Sequence, residues 1–568
     1  MKQIKILALM CLTLCASATA EAGYQARVLV PAGPFHGVHG LAFGPDGYLY
    51  AGDIMGSSVH RVDVTTGAHR IAVPAPLGMA DDVAFAPAGT PHAGTMVWTS
   101  VGVGKLYAQS PGGQPRLVAD NLPSVNTVGF APDGQLYVTQ TGPANKTLWR
   151  VDLDGKDTPK MLWDNTGGLN GFVIAADGFL YGPQADLGTV IKLNLQTREA
   201  TVIADGFVWP TAVEMDEHGF LYILDFNAGT VTQLNKDTAE KTLIATIEPG
   251  LDNMAMGPKN SPSANKLYVS SIGRNGIFEI DLGTKALRTV VAGKLTAPGG
   301  VAVLGHGADT RVYVADMFSL RAVNAATGEV KTLLPVEGTG SYPSTVSAGK
   351  IDGRDVLVVG GWFTGRVQIV DPGNGAVLRE EKNFAAPHDL KLLTDGSMVV
   401  AEAGAKKITR VLPDGTRETL AEGFQYPVGL ALGANDSLYV SDSAAGTVSA
   451  VNVATRERRE IAKDLKQPEG LVMLADGHLA VVEVGEEAVR SIDVTTGKIE
   501  NIATRFAVGL KVAAPLPPSW IFNGIAEGPD GALYLPSDVQ ASLYVLKTAG
   551  GPTSFRDALR ALTSGMFR

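Results

Sequence analysis

Short apolar runs alternate with polar positions along almost the whole chain, and they come in pairs joined by a turn. The clearest pairs read GVHGLAFGPDGYLYAGD from Gly37, SVNTVGFAPDGQLYVTQ from Ser124, GLNGFVIAADGFLYGPQ from Gly168, WPTAVEMDEHGFLYILD from Trp209, YPVGLALGANDSLYVSD from Tyr426 and IFNGIAEGPDGALYLPSD from Ile521. Asp-Gly or its equivalent between two alternating runs supplies the positive φ of a tight two-residue turn, so each pair predicts a β-hairpin. Two further strand-like runs follow each hairpin, as residues 58–64 and 69–73 follow the first, giving four strands per unit.

Tyr50 has counterparts at Trp98, Tyr137, Tyr181, Tyr222, Tyr268, Tyr313, Val358, Val399, Tyr439, Ala480 and Tyr534, which makes twelve units. At roughly 43 residues each, four antiparallel strands per unit are the signature of propeller blades. A helical solenoid would need a 3.6-residue period, and a sandwich would not repeat so regularly. One ring holds about 4–8 blades, so the expected fold class is all-β, two six-bladed β-propellers built from twelve four-stranded blades.

The chain ends suggest how the rings close. The last unit runs into Gly550-Gly551-Pro552 and a tail, 548–568, with a short predicted helix, so it lacks an outer strand. Residues 26–30 form a strand that can complete it. The longest spacing, Ala480 to Tyr534, contains Pro515, Pro517 and Pro518, where a crossover between rings would fall. The expectation is an interlaced assembly: a first ring from 24–247 plus 508–547, and a second from 248–507. The alternative is sequential, 24–295 and then 296–547.

Composition narrows the chemistry. The 568-residue chain holds 67 glycines, as frequent turning demands, and 2 cysteines, Cys11 and Cys15. Both lie in an N-terminal stretch with Lys2 and Lys5, an apolar run over 6–14 and small residues Ala18-Thr19-Ala20. That pattern predicts a signal peptide over 1–20 and a periplasmic or secreted protein. The mature chain would then have no cysteine, which excludes disulfides, thiolate metal sites and a Cys nucleophile. A net charge of −10 without a basic tract argues against nucleic acid. No later apolar stretch reaches the roughly 18 residues of a membrane span. The expected partner is a small-molecule substrate, with a protein partner as the other option.

Propeller chemistry belongs at the channel mouth, where loops from all blades converge. In the first interlaced ring the polar residues there are His36, His39, Asp53, Asp81, Asp82, Asn126, Gln140, Asn170, Gln184, Asp225, Asn523 and Asp538. In the second they are Asp252, Asn253, Asp316, Trp362, His388, Glu402, Asp442, Glu469 and Glu483. Asp53, Asp225, Asp316 and Asp442 precede turns whose N–H groups they can accept. Glu402 and Glu483 carry one more methylene and can reach the channel. Carboxylates converging from several blades with an amide or imidazole suit a hard cation, Ca²⁺ or Mg²⁺. Such an ion polarises a carbonyl while a neighbouring His or Glu moves the proton. No G-x-S-x-G, H-E-x-x-H, P-loop or G-x-G-x-x-G motif is present.

The segments NGIAEGPDGALYLPSD and PEGLVMLADGHLAVVE resemble blades of the SMP-30/gluconolactonase/NHL group. That resemblance implies a metal-dependent lactonase, with Glu469, Asn523 and Asp538 as carried-over ligands. PHDLKLLTDGSMVVAE resembles the active-site blade of virginiamycin B lyase, which implies His388 as general base and Glu402 as Mg²⁺ ligand; that family's second glutamate position is Ala386 here. The leading expectation is a divalent-metal-dependent hydrolase of a lactone or small ester, with His388 as proton carrier and Glu402, Glu469 and Glu483 as ligands. Secondary candidates are Asn523, Asp538, His39 and Asp82. A non-catalytic binding scaffold and a ring-opening lyase are the alternatives.

Overall fold

The computed structural model describes residues 19–20, 24–335, 342–434 and 437–548. The expected signal peptide, apart from Thr19 and Ala20, and the tail beyond Thr548 lie outside the described residues. What is described is all-β apart from short 3-10 turns, in twelve antiparallel sheets, each the blade of a propeller. Ten are ordered from inner to outer strand as the sequence runs; the eleventh gains a two-residue fifth strand, Thr19–Ala20, at its outer edge, and the twelfth borrows its outer strand.

The inner strands of blades 1 to 6 are Val38–Phe43, Ala80–Phe85, Val125–Phe130, Val173–Ile174, Pro210–Met215 and Leu251–Met256. Those of blades 7 to 12 are Val301–Leu304, Thr345–Ile351, Pro387–Leu392, Pro427–Leu432, Pro468–Met473 and Ala526–Glu527. Leu251–Met256 packs beside Val38–Phe43, and Ala526–Glu527 beside Val301–Leu304. Each ring is therefore closed by consecutive blades. The interlaced division, 24–247 plus 508–547 against 248–507, is corrected: blade 6 completes the first ring and blade 12 the second. The proline-rich stretch does not cross between rings. It is a long loop from blade 11 to blade 12 whose Leu510, Val512 and Leu516 reach across to pack with Met55 and Met79 of the first ring.

Strand Tyr24–Val30 pairs antiparallel with Ser542–Thr548, from Tyr24 opposite Thr548 to Val30 opposite Leu543. The chain thus starts in the second ring, builds the whole first ring, and returns. The first ring has no borrowed strand; apolar packing between blades 1 and 6 closes it, with Phe35, Val38 and Leu49 against Tyr268, Ile277 and Val290. Arg288 Nη2 adds a hydrogen bond to the Val64 carbonyl at 2.7 Å. Two linkers join the rings, one before Val38 and one after Ala292. Buried Asn275 holds both: its Oδ1 accepts Gly37 N–H at 3.2 Å, and its Nδ2 donates to the carbonyls of Phe35 and Leu295.

The hairpin turns differ from the expected two-residue type. Gly44 C=O accepts Gly47 N–H at 3.0 Å and Gly44 N–H donates to Tyr48 C=O at 2.9 Å, so the loop has three residues, with Gly47 at φ +78°. A three-residue loop ending in a left-handed residue is the next commonest hairpin connection, and glycine enters that conformation without Cβ strain. Blades stack through their apolar faces, as Val97 and Leu106 of blade 2 do on Val128 and Leu136 of blade 3. Each fully buried side chain of this kind contributes about 1.5–3 kcal/mol. The mouths of the two rings face each other across an apolar seam containing Met55, Met79, Met317, Trp520 and Ile521.

Candidate functional site

At the end of the second strand of most blades a polar side chain turns back onto the loop that enters the inner strand. Asp53 accepts His36 N–H at 2.9 Å, Asp225 accepts Val208 N–H at 2.7 Å, and Asp316 accepts Thr296 N–H at 2.7 Å. Asp442 accepts Gln425 N–H at 2.6 Å, and Asp538 accepts Gly509 and Leu510 N–H at 2.9 and 2.8 Å. Glu402 and Glu483 do the same, accepting Ala385 N–H and Lys466 N–H, each at 2.8 Å. Their extra methylene does not carry them into the channel. It lets the second oxygen reach the third strand, where Glu402 takes the Thr409 hydroxyl and Glu483 takes Arg490 Nε. The oxygens of Glu402 and Glu483 are thus engaged by their own blades, while the Asp538 carboxyl, besides holding its loop, also meets the Asn523 side chain.

Glu469, Asn523 and His388 do come together, at the mouth of the second ring's channel. His388 Nδ1–H donates to Ala386 C=O at 3.2 Å, and its Nε2 accepts the Tyr426 hydroxyl at 3.3 Å. Glu469 accepts Asn523 N–H at 2.7 Å and Nδ2 at 3.2 Å. Burial, with a smaller push from Asp538, raises the Glu469 carboxyl to about 7. Burial lowers His388 and keeps it neutral. All three are at most 1 % exposed, and Trp362, stacked 6.1 Å from His388 and 5.3 Å from Trp520, covers them. The arrangement is a buried polar cluster in which Glu469 and Asp538 both adjoin Asn523, whose Oδ1 finds no hydrogen-bond donor among the described residues.

The first ring is built differently. The second residue of its inner strands gives Asp252, His39, Asp81 and Asn126 in order around the mouth, followed by Asn170 from blade 4. His39, Asn126 and Asn170 line a cavity of about 1030 Å³ between the two rings. Burial raises the Asp81 carboxyl well above its usual range, and Asp252 and Asp82 push it further. Burial also raises Asp252, with His39 opposing. Neither Asp81 nor Asp252 accepts a hydrogen bond from any described residue. His39 donates Nδ1–H to Gly37 C=O at 2.7 Å, and no described residue hydrogen-bonds its Nε2. Tyr342, from the second ring, completes the group; burial and then Asp252 and Asp81 raise its hydroxyl.

Asp82 lies one residue further down the channel and is a strap. It accepts Val83 N–H at 2.9 Å, Val128 N–H at 3.0 Å and Asn253 Nδ2 at 3.0 Å, tying blades 2, 3 and 6. Gly40 is required beside it, since a Cβ there would stand 2.3 Å from Asp82 Oδ1. Burial raises Asp82 to about 8. Asp389 repeats the strap in the second ring, accepting Leu390 and Leu430 N–H at 2.7 and 2.8 Å.

Among the described residues no three His, Asp, Glu or Cys side chains converge on one metal-binding point. The first mouth nevertheless offers two carboxylates that accept no hydrogen bond from a described residue, and the amide oxygens of Asn126 and Asn170, which share the Thr127 hydroxyl. That oxygen set suits Ca²⁺ or Mg²⁺. Asp81 and Asp252 are the residues passed over as ligands, because the interlaced model put them in different rings.

No family model matches the sequence, and no curated protein matches it. Solved structures similar to the chain include a gluconolactonase from Xanthomonas campestris, at 15 % identity and TM-score 0.37, covering 47 % of this chain and 90 % of that one. A luciferin-regenerating enzyme aligns at 16 % identity and TM-score 0.34, covering 44 % and 89 %. Virginiamycin B lyase from Staphylococcus aureus, an inactive variant with quinupristin, aligns at 13 % and 0.32, covering 44 % and 95 %. Each spans about one ring's worth of this chain. Among the described residues no helix is long and apolar enough to cross a membrane.

Proposed function

We propose that the protein is an exported hydrolase of lactones or related small esters, acting in the cavity between the rings at the mouth of the first. The supporting observation is the pair Asp81 and Asp252: two carboxyl groups from different blades, desolvated by burial, that accept no hydrogen bond from a described residue, beside a histidine whose Nε2 has no hydrogen-bond partner among the described residues. With Asn126 and Asn170 they would hold a divalent cation, Ca²⁺ or Mg²⁺, which when bound supplies Lewis acidity to an ester carbonyl. His39 Nε2 takes a proton from the attacking water, and Asp252 beside it stabilises the imidazolium. Tyr342, kept protonated by its raised pKa, donates to oxygen as charge develops there. The N-terminal Lys2, Lys5 and apolar run over 6–14 support export to the periplasm or medium.

The test is calorimetric titration with Ca²⁺ and Mg²⁺ together with pH-stat assays on γ- and δ-lactones. The expected result is saturable cation binding and hydrolysis, with both lost in Asp81→Asn and Asp252→Asn. Hydrolysis unchanged by these substitutions, or no cation binding and no turnover in the wild type, overturns the proposal.

A further inference from the structure

The aromatic lining of the cavity is concentrated in the second ring, with Trp209 the one aromatic side chain from the first. The polar side, with His39, Asn126 and Asn170, comes from the first ring, while Phe318, Tyr342, Trp362, Phe363 and Trp520 all come from the second. These five aromatic rings touch in series. Centroids are 5.9 Å apart for Phe318–Tyr342, 6.0 Å for Tyr342–Phe363, 5.7 Å for Phe363–Trp362 and 5.3 Å for Trp362–Trp520. Successive rings meet at 61–87°, edge to face, and Trp362 also lies against His388 at 26°. Phe363, in the lining of the cavity, is 68 % exposed. Among the described residues the buried indole N–H groups of Trp362 and Trp520 find no acceptor, and Trp520 is only 5 % exposed.

We propose that this wall is the specificity element of the site and that the substrate carries a flat aromatic group fused or attached to its ester ring. This rests on the hydrolase reading above and adds the substrate class. An aromatic guest lays its face on Phe363 and Phe318 and leaves the ester oxygens to the first ring. A polyhydroxylated ring fits less well, because hydroxyls turned toward Phe318 and Met317 would lose water without finding a partner. The volume, about 1030 Å³, also exceeds what a single small ring fills and matches pockets for larger apolar ligands. The division of labour gives the second ring a role: its own channel is packed, and it contributes the ceiling for the first.

Two ketones that cannot be hydrolysed test this without depending on turnover. 2-Tetralone and cyclohexanone both carry a six-membered ketone ring, with and without a fused benzene ring. By calorimetric or NMR titration the wild type should bind 2-tetralone at least tenfold more tightly than cyclohexanone. Phe363→Ala, at an exposed position, should shrink that ratio at least fivefold, and Phe318→Leu should shrink it too. Equal binding of the two ketones, or a ratio that neither substitution changes, overturns the inference. If the preference is found but no lactone is hydrolysed, the aromatic-binding wall stands and the hydrolase reading falls. If lactones are hydrolysed with no aromatic preference in binding, the reverse holds.

Discussion

Asp81 and Asp252 flank His39 at the mouth of the first ring, each carboxyl raised by burial and Asp81 further by the charge of Asp252. Like charges held close in a dry site cannot both ionise easily, so the pair keeps a proton at a pH where free aspartates have lost theirs. Cation binding must displace that proton. Calcium affinity should therefore be weak at pH 5 and rise by an order of magnitude or more toward pH 8, with hydrolysis following it. Asp252→Asn removes the like charge and should bring Asp81 back toward the ordinary carboxylate range, which carbon-13 NMR titration of the labelled carboxyl reads directly. A pH-independent affinity would contradict the coupling.

Glu402 and Glu483 make the opposite prediction. Each holds the loop entering its blade and reaches the third strand. Removing a buried carboxylate that satisfies backbone N–H groups costs about 1–3 kcal/mol. Glu402→Ala and Glu483→Ala should lower the melting temperature by a few degrees and leave lactone hydrolysis and calcium affinity within twofold of the wild type. Loss of activity in correctly folded protein would return these residues to the site.

The blades were legible because most units repeat the same local signals: alternating apolar positions, a turn with glycine at positive φ, and a polar residue closing the second strand. Strand Tyr24–Val30 was legible as well, since a blade without an outer strand needs one. Ring membership was not. Whether blade 6 neighbours blade 1 or blade 7 depends on packing such as Tyr268 against Phe43, 5.2 Å apart, and no local pattern records it. That one ambiguity separated Asp252 from Asp81 and concentrated attention on the carboxylates of blades 9 and 11. Glu402 and Asp442 close their loops in the same way, so length of side chain at that position says nothing about the channel.

Asn275 is the only side chain among the described residues that bonds to both linkers, and it does so from a position 1 % exposed. Asn275→Ala leaves Gly37 N–H and the carbonyls of Phe35 and Leu295 without these partners, at a cost of about 1–3 kcal/mol. The loss falls on the joint between the rings and not on either ring's blades. Calorimetry should show one cooperative transition in the wild type broadening or splitting into two in the variant. Small-angle scattering should show a larger maximum dimension. A variant that melts as a single, merely shifted transition would place the coupling elsewhere in the seam.

Glu469 gives the second ring its own pH dependence. The carboxyl is 1 % exposed and its pKa in the folded protein is raised to about 7, above the 4.5 of the unfolded chain, chiefly by burial. Between those values the folded protein binds a proton that the unfolded chain has released, so stability is fully present below about 4.5 and declines as pH rises through about 7. The shift corresponds to at most about 3 kcal/mol by pH 8. Glu469→Gln mimics the protonated carboxyl and keeps an acceptor for Asn523 N–H without ever ionising. Its melting temperature should change much less between pH 5 and pH 8 than that of the wild type, and should exceed it at pH 8. Parallel melting curves for the two proteins across that range would show that Glu469 ionises freely, through water reaching the channel from beneath Trp362.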